Sequence, residues 1–204
     1  MAKAPAKSAA KSATMPMAKT KSAGSAKGKA TAKLAKSENK PDIVDLILQD
    51  HKPIKELLEV LKDSKVEFAE KRSTFEEFMP MLKNHAEPEQ ETLYVRMKDE
   101  NELREEAFEG DVEHALAAQL MEELTPEPED EDVWMAKVKV LAELVEHHIE
   151  EEEDEMLKQV RKEIDADTRY VIGQDYLNMR ADYLEASETQ KPDNSKKISE
   201  IRAH

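Results

Sequence analysis

The chain of 204 residues has no cysteine. That absence excludes disulfides and thiolate metal sites, and it suits a reducing compartment such as the cytoplasm. Glycine is also scarce, with four residues, and aromatics make up only 4% of a chain that is 38% charged. Such a balance points to long helices rather than sheets. No run approaches the roughly 18 apolar residues that a membrane span requires, so a soluble protein is expected. The first 38 residues contain no apolar core of a secretory signal, and they lack the Arg residues of a transit peptide.

What the chain does have is charge, unevenly placed. The formal net charge is −15, yet residues 1–40 hold ten Lys against the single acid Glu38. The remainder therefore carries 21 basic against 45 acidic residues. Residues 1–38, rich in Ala, Lys, Ser, Gly and Thr, have almost nothing to bury and are expected to be disordered. Lys spaced along such an arm suits weak, salt-sensitive contact with nucleic-acid phosphates or with the acidic body; a solubilising tail is the plainer alternative.

From residue 39 the hydrophobic pattern takes a period of 3.6. Asn39 and Asp42 as a cap pair, with Pro41 in the first turn, open a first helix read through to Phe68. The "RST" stretch near residue 73 is read as a break, with Thr74 and Glu77 as a capping box for a second helix running to about Asp99. A third helix covers residues 111–124, with the acidic turn before it as an extension in the longer reading, and a fourth follows the "TPEPEDED" link from about Val133 to Ile164. The expected architecture is all-α: an up-down-up-down four-helix bundle over residues 39–165. An additional C-terminal helix over 166–187 and a flexible polar tail over 188–204 complete it.

A shift of 63 residues lays His148 on His85 and Glu152 on Glu89, with apolar residues matching around them. The same shift lays Glu113 and His114 of the third helix on Asp50 and His51 of the first. The body therefore reads as two copies of a helical hairpin. Leu141, Leu144, Val145 and His148 share one helix face by steps of three, four and seven, and Glu152 and Met156 continue it. His148 is thus the inward member of the His147–His148 pair.

Each helix then presents one inward imidazole, from His51, His85, His114 and His148, and Glu89 and Glu152 follow two of them by one turn. A carboxylate on a dry face costs several kcal/mol unless paired or coordinated. A single inward His is most simply a satisfied core residue, and a single Glu in an acidic run is most simply solvated. Six such groups repeating at one offset point instead to two metal ions bridged by the two carboxylates. The alternative is a His–Glu hydrogen-bond network without metal. Nitrogen and oxygen ligands without sulfur favour iron, with manganese or zinc as substitutes.

His51, His85-x3-Glu89, His114 and His148-x3-Glu152 resemble the H…HxxxE…H…HxxxE signature of hemerythrin-like (HHE cation-binding) domains over roughly residues 40–165. "DHKPIKELL", "HAEPEQETLY" and "EHHIEEEEDEML" are typical phrases of that family. The resemblance implies a four-helix bundle around a non-haem di-iron centre with an oxo or hydroxo bridge. One metal would take His51 and His85, the other His114 and His148, with Glu89 and Glu152 bridging. Two departures stand out. Gly110 occupies the position, one turn before His114, where oxygen carriers of the family have a fifth His. That leaves an open position, or one filled from Glu109, Asp111 or Glu113. Pro88 lies inside the first HxxxE turn, where it removes a backbone bond and should kink the helix, either aiming Glu89 or loosening it. Tyr94, one turn past Glu89, either lies near the site or, as the plainer reading, is an ordinary bundle residue.

Open positions on both ions would suit binding of, or reaction with, O2, peroxide or NO, in sensing or redox protection. The catalytic residues of any such oxidoreductase are not legible. Two other readings remain: iron buffering or sensing through metal-dependent folding, and a nucleic-acid accessory protein acting through the Lys-rich tail.

Overall fold

The computed structural model describes residues 40–189, with side chains described through residue 186. The expectations for the basic segment 1–38 and for residues 190–204 lie outside that range. Among the described residues all regular structure is helical: α1 Ile43–Lys62, α2 Phe68–Glu89, π1 Gln90–Tyr94, α3 Val95–Met97, α4 Arg104–Leu124, α5 Glu131–Glu151, π2 Glu152–Met156, α6 Leu157–Glu163 and α7 Ala166–Thr189. α2, π1 and α3 are continuous, as are α5, π2 and α6, so the chain forms five long rods. No helix among the described residues is long and apolar enough to cross a membrane.

The helix starts follow side-chain chemistry. Asp42 caps α1 by accepting from the Val44 amide at 3.0 Å. Pro41 thus precedes the cap and does not sit in the first turn. Asp130 caps α5 by accepting from the Asp132 and Val133 amides. An amide left bare at a helix start lacks an intrahelical partner, and these carboxylates supply one.

The expected break near residue 73 is corrected. α1 ends at Lys62, and the link is Asp63–Glu67, where the Asp63 carboxylate accepts from the Lys65 amide. Arg72, Ser73 and Thr74 are interior to α2, and the Thr74 hydroxyl donates back to the Glu70 carbonyl instead of capping. Polar residues there read as a break because their partners are distant in sequence. Arg72 donates to the carbonyls of Leu124, Thr125 and Pro126, and the Trp134 indole also donates to Leu124. These bonds satisfy carbonyls at the end of α4 that have no amide ahead of them. The third helix includes the acidic turn before Asp111 and begins at Arg104.

α1 packs on α2 and α5, α4 packs on α5, and α7 lies against α1 and α2. The apolar interior is divided into two clusters. One gathers Ile54, Leu58, Phe78, Leu82, Met121 and Leu141 with their neighbours. The other gathers Ile43, Ile47, Leu93, Met97, Ala107 and Val160 with theirs. Between them, on each of the four helices, lie the residues that carry chemistry. α1 passes from Ile47 through His51 to Ile54, and the α2–π1 rod from Leu82 through His85 to Leu93. α4 passes from Ala107 through His114 to Met121, and the α5 rod from Leu141 through His148 to Val160.

Arg72→Ala should lower the stability of the chain by roughly 1–3 kcal/mol, since it leaves carbonyls at the α4 end without their charged donor. Urea denaturation followed by circular dichroism measures this; an unchanged midpoint would show that water replaces the guanidinium at no cost.

Candidate metal centre

The six side chains singled out from the sequence meet in this polar layer. His51, His85, Glu89, His114, His148 and Glu152 are all buried, none more than 7% exposed. His147, next in sequence, keeps 63% of its side chain in solvent. The six fall into two groups, His51 with His85 and Glu152, and Glu89 with His114 and His148. Within each, one ligand atom per residue lies within 4.8 Å of the others. Each group draws its carboxylate from the other hairpin, so the two acids cross between the halves.

The contacts among them are close but incomplete. His51 Nε2 lies 3.1 Å from Glu152 Oε2, and His85 Nε2 lies 3.6 Å from Glu89 Oε2. His114 Nε2 and His148 Nε2 face each other at 2.9 Å. Eight buried side-chain atoms among the described residues make no well-aligned hydrogen bond, and six belong here: His85 Nε2, both Glu89 oxygens, His114 Nδ1, and the His51 Nε2 and Glu152 Oε2 that lie 3.1 Å apart. Each orphan costs about 1–3 kcal/mol. The unpaired atoms are the lone-pair bearers that bind a hard or borderline cation, so the residues present fit a metal.

A second set of residues aims the imidazoles. His148 Nδ1 donates to Glu113 Oε2 at 2.6 Å, and His51 Nδ1 donates to Glu153 Oε1 at 3.1 Å. His85 Nδ1 donates to the Tyr176 hydroxyl at 3.1 Å, which donates in turn to Asp50 Oδ2 at 2.6 Å. Arg180 Nη1 fixes that carboxylate at 2.7 and 2.8 Å from its two oxygens. With Nδ1 engaged as donor, Nε2 is the free ligand atom facing inward. Asp50 and Glu113 occupy matching places under the 63-residue shift, each serving the second His of its own hairpin. That correspondence was present in the sequence repeat. Tyr176 had no such signal, because α7 stands outside the repeat.

Glu113 is therefore committed to His148. Asp111 is taken by Lys98 and by the Gln90 amide at 3.2 Å, and Glu109 is exposed. None of these three carboxylates joins the six at the position that Gly110 was expected to leave open. Tyr94 lies there instead: a Cβ built on Gly110 would come within 2.6 Å of the Tyr94 ring and its hydroxyl. Tyr94 is fully buried, stacks on His114 and donates to Glu152 Oε1 at 2.7 Å. Of the two readings of Tyr94, the position beside the site holds, and the plainer one of an ordinary bundle residue is corrected.

The cause is a local change of helix. On an unbroken α-helix Tyr94, five residues past Glu89, sits about 140° round from it. π1 spends an additional residue on that revolution and returns Tyr94 toward the interior. Pro88, which has no amide to give, stands just before this turn, and Glu89 emerges fully buried and aimed at the layer. π2 opens at Glu152 without a proline, so nothing in the sequence announced that turn.

With protein groups alone the charges are unequal. Burial and the nearby Glu152 push the Glu89 carboxyl well above its usual range. Burial acts on Glu152 in the same direction, but the rings of His148, His51 and His85 outweigh it and hold Glu152 ionised. Burial and the neighbouring His148 bring His114 down to about 3. His148 is also desolvated, yet Glu152 and Glu113 raise it above the ordinary imidazole value.

A family model described as hemerythrin HHE cation binding domain matches residues 42–160. No curated protein and no solved structure matches the chain.

Gly110→Ala should destabilise the chain by about 1–3 kcal/mol, because the added methyl meets an enclosed ring, which outweighs the helix preference of Ala. In a Tyr94→Leu background the obstruction is gone, and the same change should be neutral or stabilising. A double-mutant cycle in denaturant reads the difference; equal effects in both backgrounds would contradict the contact.

Proposed function

Because the chain belongs to the hemerythrin HHE cation-binding family, we propose that the buried layer holds two iron ions and that the protein binds or reacts with O2, peroxide or NO, in sensing or in redox protection. The observation that carries this is the set of unpaired buried His and Glu atoms in two adjoining three-residue groups. His51, His85 and Glu152 would hold one ion, and His114, His148 and Glu89 the other, with either carboxylate free to reach across. The donor set suits iron, with manganese or zinc as chemical alternatives. Paired redox-active ions supply the capacity to bind and reduce small oxygen or nitrogen ligands.

The chain's own groups do the rest. Glu113, Glu153 and the Tyr176–Asp50 pair orient three of the four imidazoles. Tyr94 holds Glu152 by a donated hydrogen bond and fills the notch at Gly110. The two apolar clusters exclude bulk water above and below. A cavity of about 50 Å³, lined by Leu82, Ala117, Met121 and Val145 together with Lys83, Glu87, Gln90 and Glu113, reaches His114 and His148 and would admit a small diatomic ligand. The alternating passage of α1, α2, α4 and α5 between the two apolar clusters supports an up-down-up-down arrangement of these four helices.

The same unpaired atoms favour a second reading, iron buffering or sensing by metal-dependent stability. Groups that are destabilising without a cation make the folded state depend on it.

Protein purified aerobically should carry about two irons per chain and show ligand-to-metal absorption; both should fall in His114→Ala and His148→Ala while helical content is kept. Elemental analysis with optical and circular dichroism spectra tests this. Full iron content in both variants, or a metal other than iron at full occupancy, would overturn the iron assignment. Chelation should lower the Tm if metal sustains the fold; an unchanged Tm would reject the buffering reading.

A further inference from the structure

Tyr94 enters the layer from outside the set of four His and two Glu, and its hydroxyl stands where a donor atom would. Gly110 and His114 are one turn apart and share a face of α4. Gly110 sends no side chain toward the layer. The space beside it is taken by the Tyr94 hydroxyl, 2.6 Å from where a Cβ on Gly110 would stand. The Tyr94 ring stacks on His114 with centroids 5.4 Å apart, so it follows that imidazole inward. A π turn carries it there, and such turns are frequent at functional sites.

Three polar atoms meet at this point. The Tyr94 oxygen lies 2.7 Å from Glu152 Oε1 and 3.4 Å from His148 Nε2, and those two lie 3.5 Å from each other. Adjacent ligands at about 2.1 Å from an octahedral ion stand roughly 3.0 Å apart. The triangle is therefore close to one face of a coordination octahedron. A tyrosine that served only to hold Glu152 needs the 2.7 Å contact alone. Its approach to His148 Nε2, an atom that also faces His114 Nε2 at 2.9 Å, adds nothing to that role. The second oxygen of Glu152 lies 3.1 Å from His51 Nε2, so this carboxylate spans from the triangle to the other group.

We infer that Tyr94 is a seventh protein ligand of the centre, giving a phenolate oxygen to the ion held by His114 and His148. The inference rests on the two-iron reading of the layer. Tyrosine is one of the side chains by which proteins hold haem iron, so the bond itself is ordinary iron chemistry. On ligation the phenolic O–H bond breaks and an O–Fe(III) bond forms. The proton leaves to solvent by the cavity of about 90 Å³ that Tyr94 and Glu152 line together with the exposed Glu109 and Glu155. Under the 63-residue shift the matching residue is Leu157, which has no donor atom, so only one of the two ions takes a phenolate.

The test uses full-length protein loaded with iron and oxidised in air. A phenolate on Fe(III) gives a visible charge-transfer band, and resonance Raman spectra excited in that band carry ring modes that shift when tyrosine is ring-deuterated. Band and modes should be present in the wild type and absent from Tyr94→Phe at about two irons per chain. Fluorotyrosine placed at position 94 keeps the ring and the hydroxyl, and its electron-withdrawing fluorine should move the band to higher energy. That measurement reads the assignment without relying on the Phe variant. Iron-loaded wild type without tyrosine-derived modes, or a band that fluorination leaves in place, would overturn this inference and leave the two-iron centre standing. A wild-type chain that takes up no iron at all would overturn both.

Discussion

Burying polar atoms that have nothing to bond with is the constraint around which this molecule is arranged. Two apolar clusters close over a layer of four imidazoles and two carboxylates. Protein groups satisfy the outward nitrogen of three rings but leave most of the inward atoms unpaired. A fold tolerates such a deficit only where a ligand makes it good. The stability of the bundle and the chemistry of its centre are therefore one problem, posed in the same residues.

The two hairpins solve that problem alike, and then diverge. Asp50 and Glu113 play matching parts, and a π turn opens at or just after each Glu. Under the 63-residue shift Tyr94 and Gly110 correspond to Leu157 and Ile47, an aliphatic pair within one of the apolar clusters. One half of the layer thus has a hydroxyl that the other lacks. His85 has a tyrosine between it and its aspartate, whereas His148 meets its glutamate directly. The centre is near-symmetric in its donors and asymmetric in its surroundings.

Much of this was legible in the sequence because helical periodicity and the internal repeat are both local counting rules. The all-helical class and the convergence of His51, His85, His114 and His148 follow from them. The break assigned near Ser73 failed because Arg72 and Thr74 look like loop residues until their partners at the α4 end and on Glu70 are seen. Tyr94 admits two readings in the sequence because counting at 3.6 residues per turn carries no information about a π turn, and π2 has no proline to suggest one. Tyr176 and Arg180 were missed because helix–helix contacts across more than a hundred residues leave no mark on spacing.

α7 enters this picture last, and that order matters. Among the described residues it is the last helix, and Tyr176 and Arg180 complete the hydrogen-bond chain that aims His85. While the chain is still leaving the ribosome, the first hairpin has its histidines but not the brace that orients one of them. A chain that stops before α7 therefore carries all six residues of the centre but lacks the hydroxyl that engages the outward nitrogen of His85.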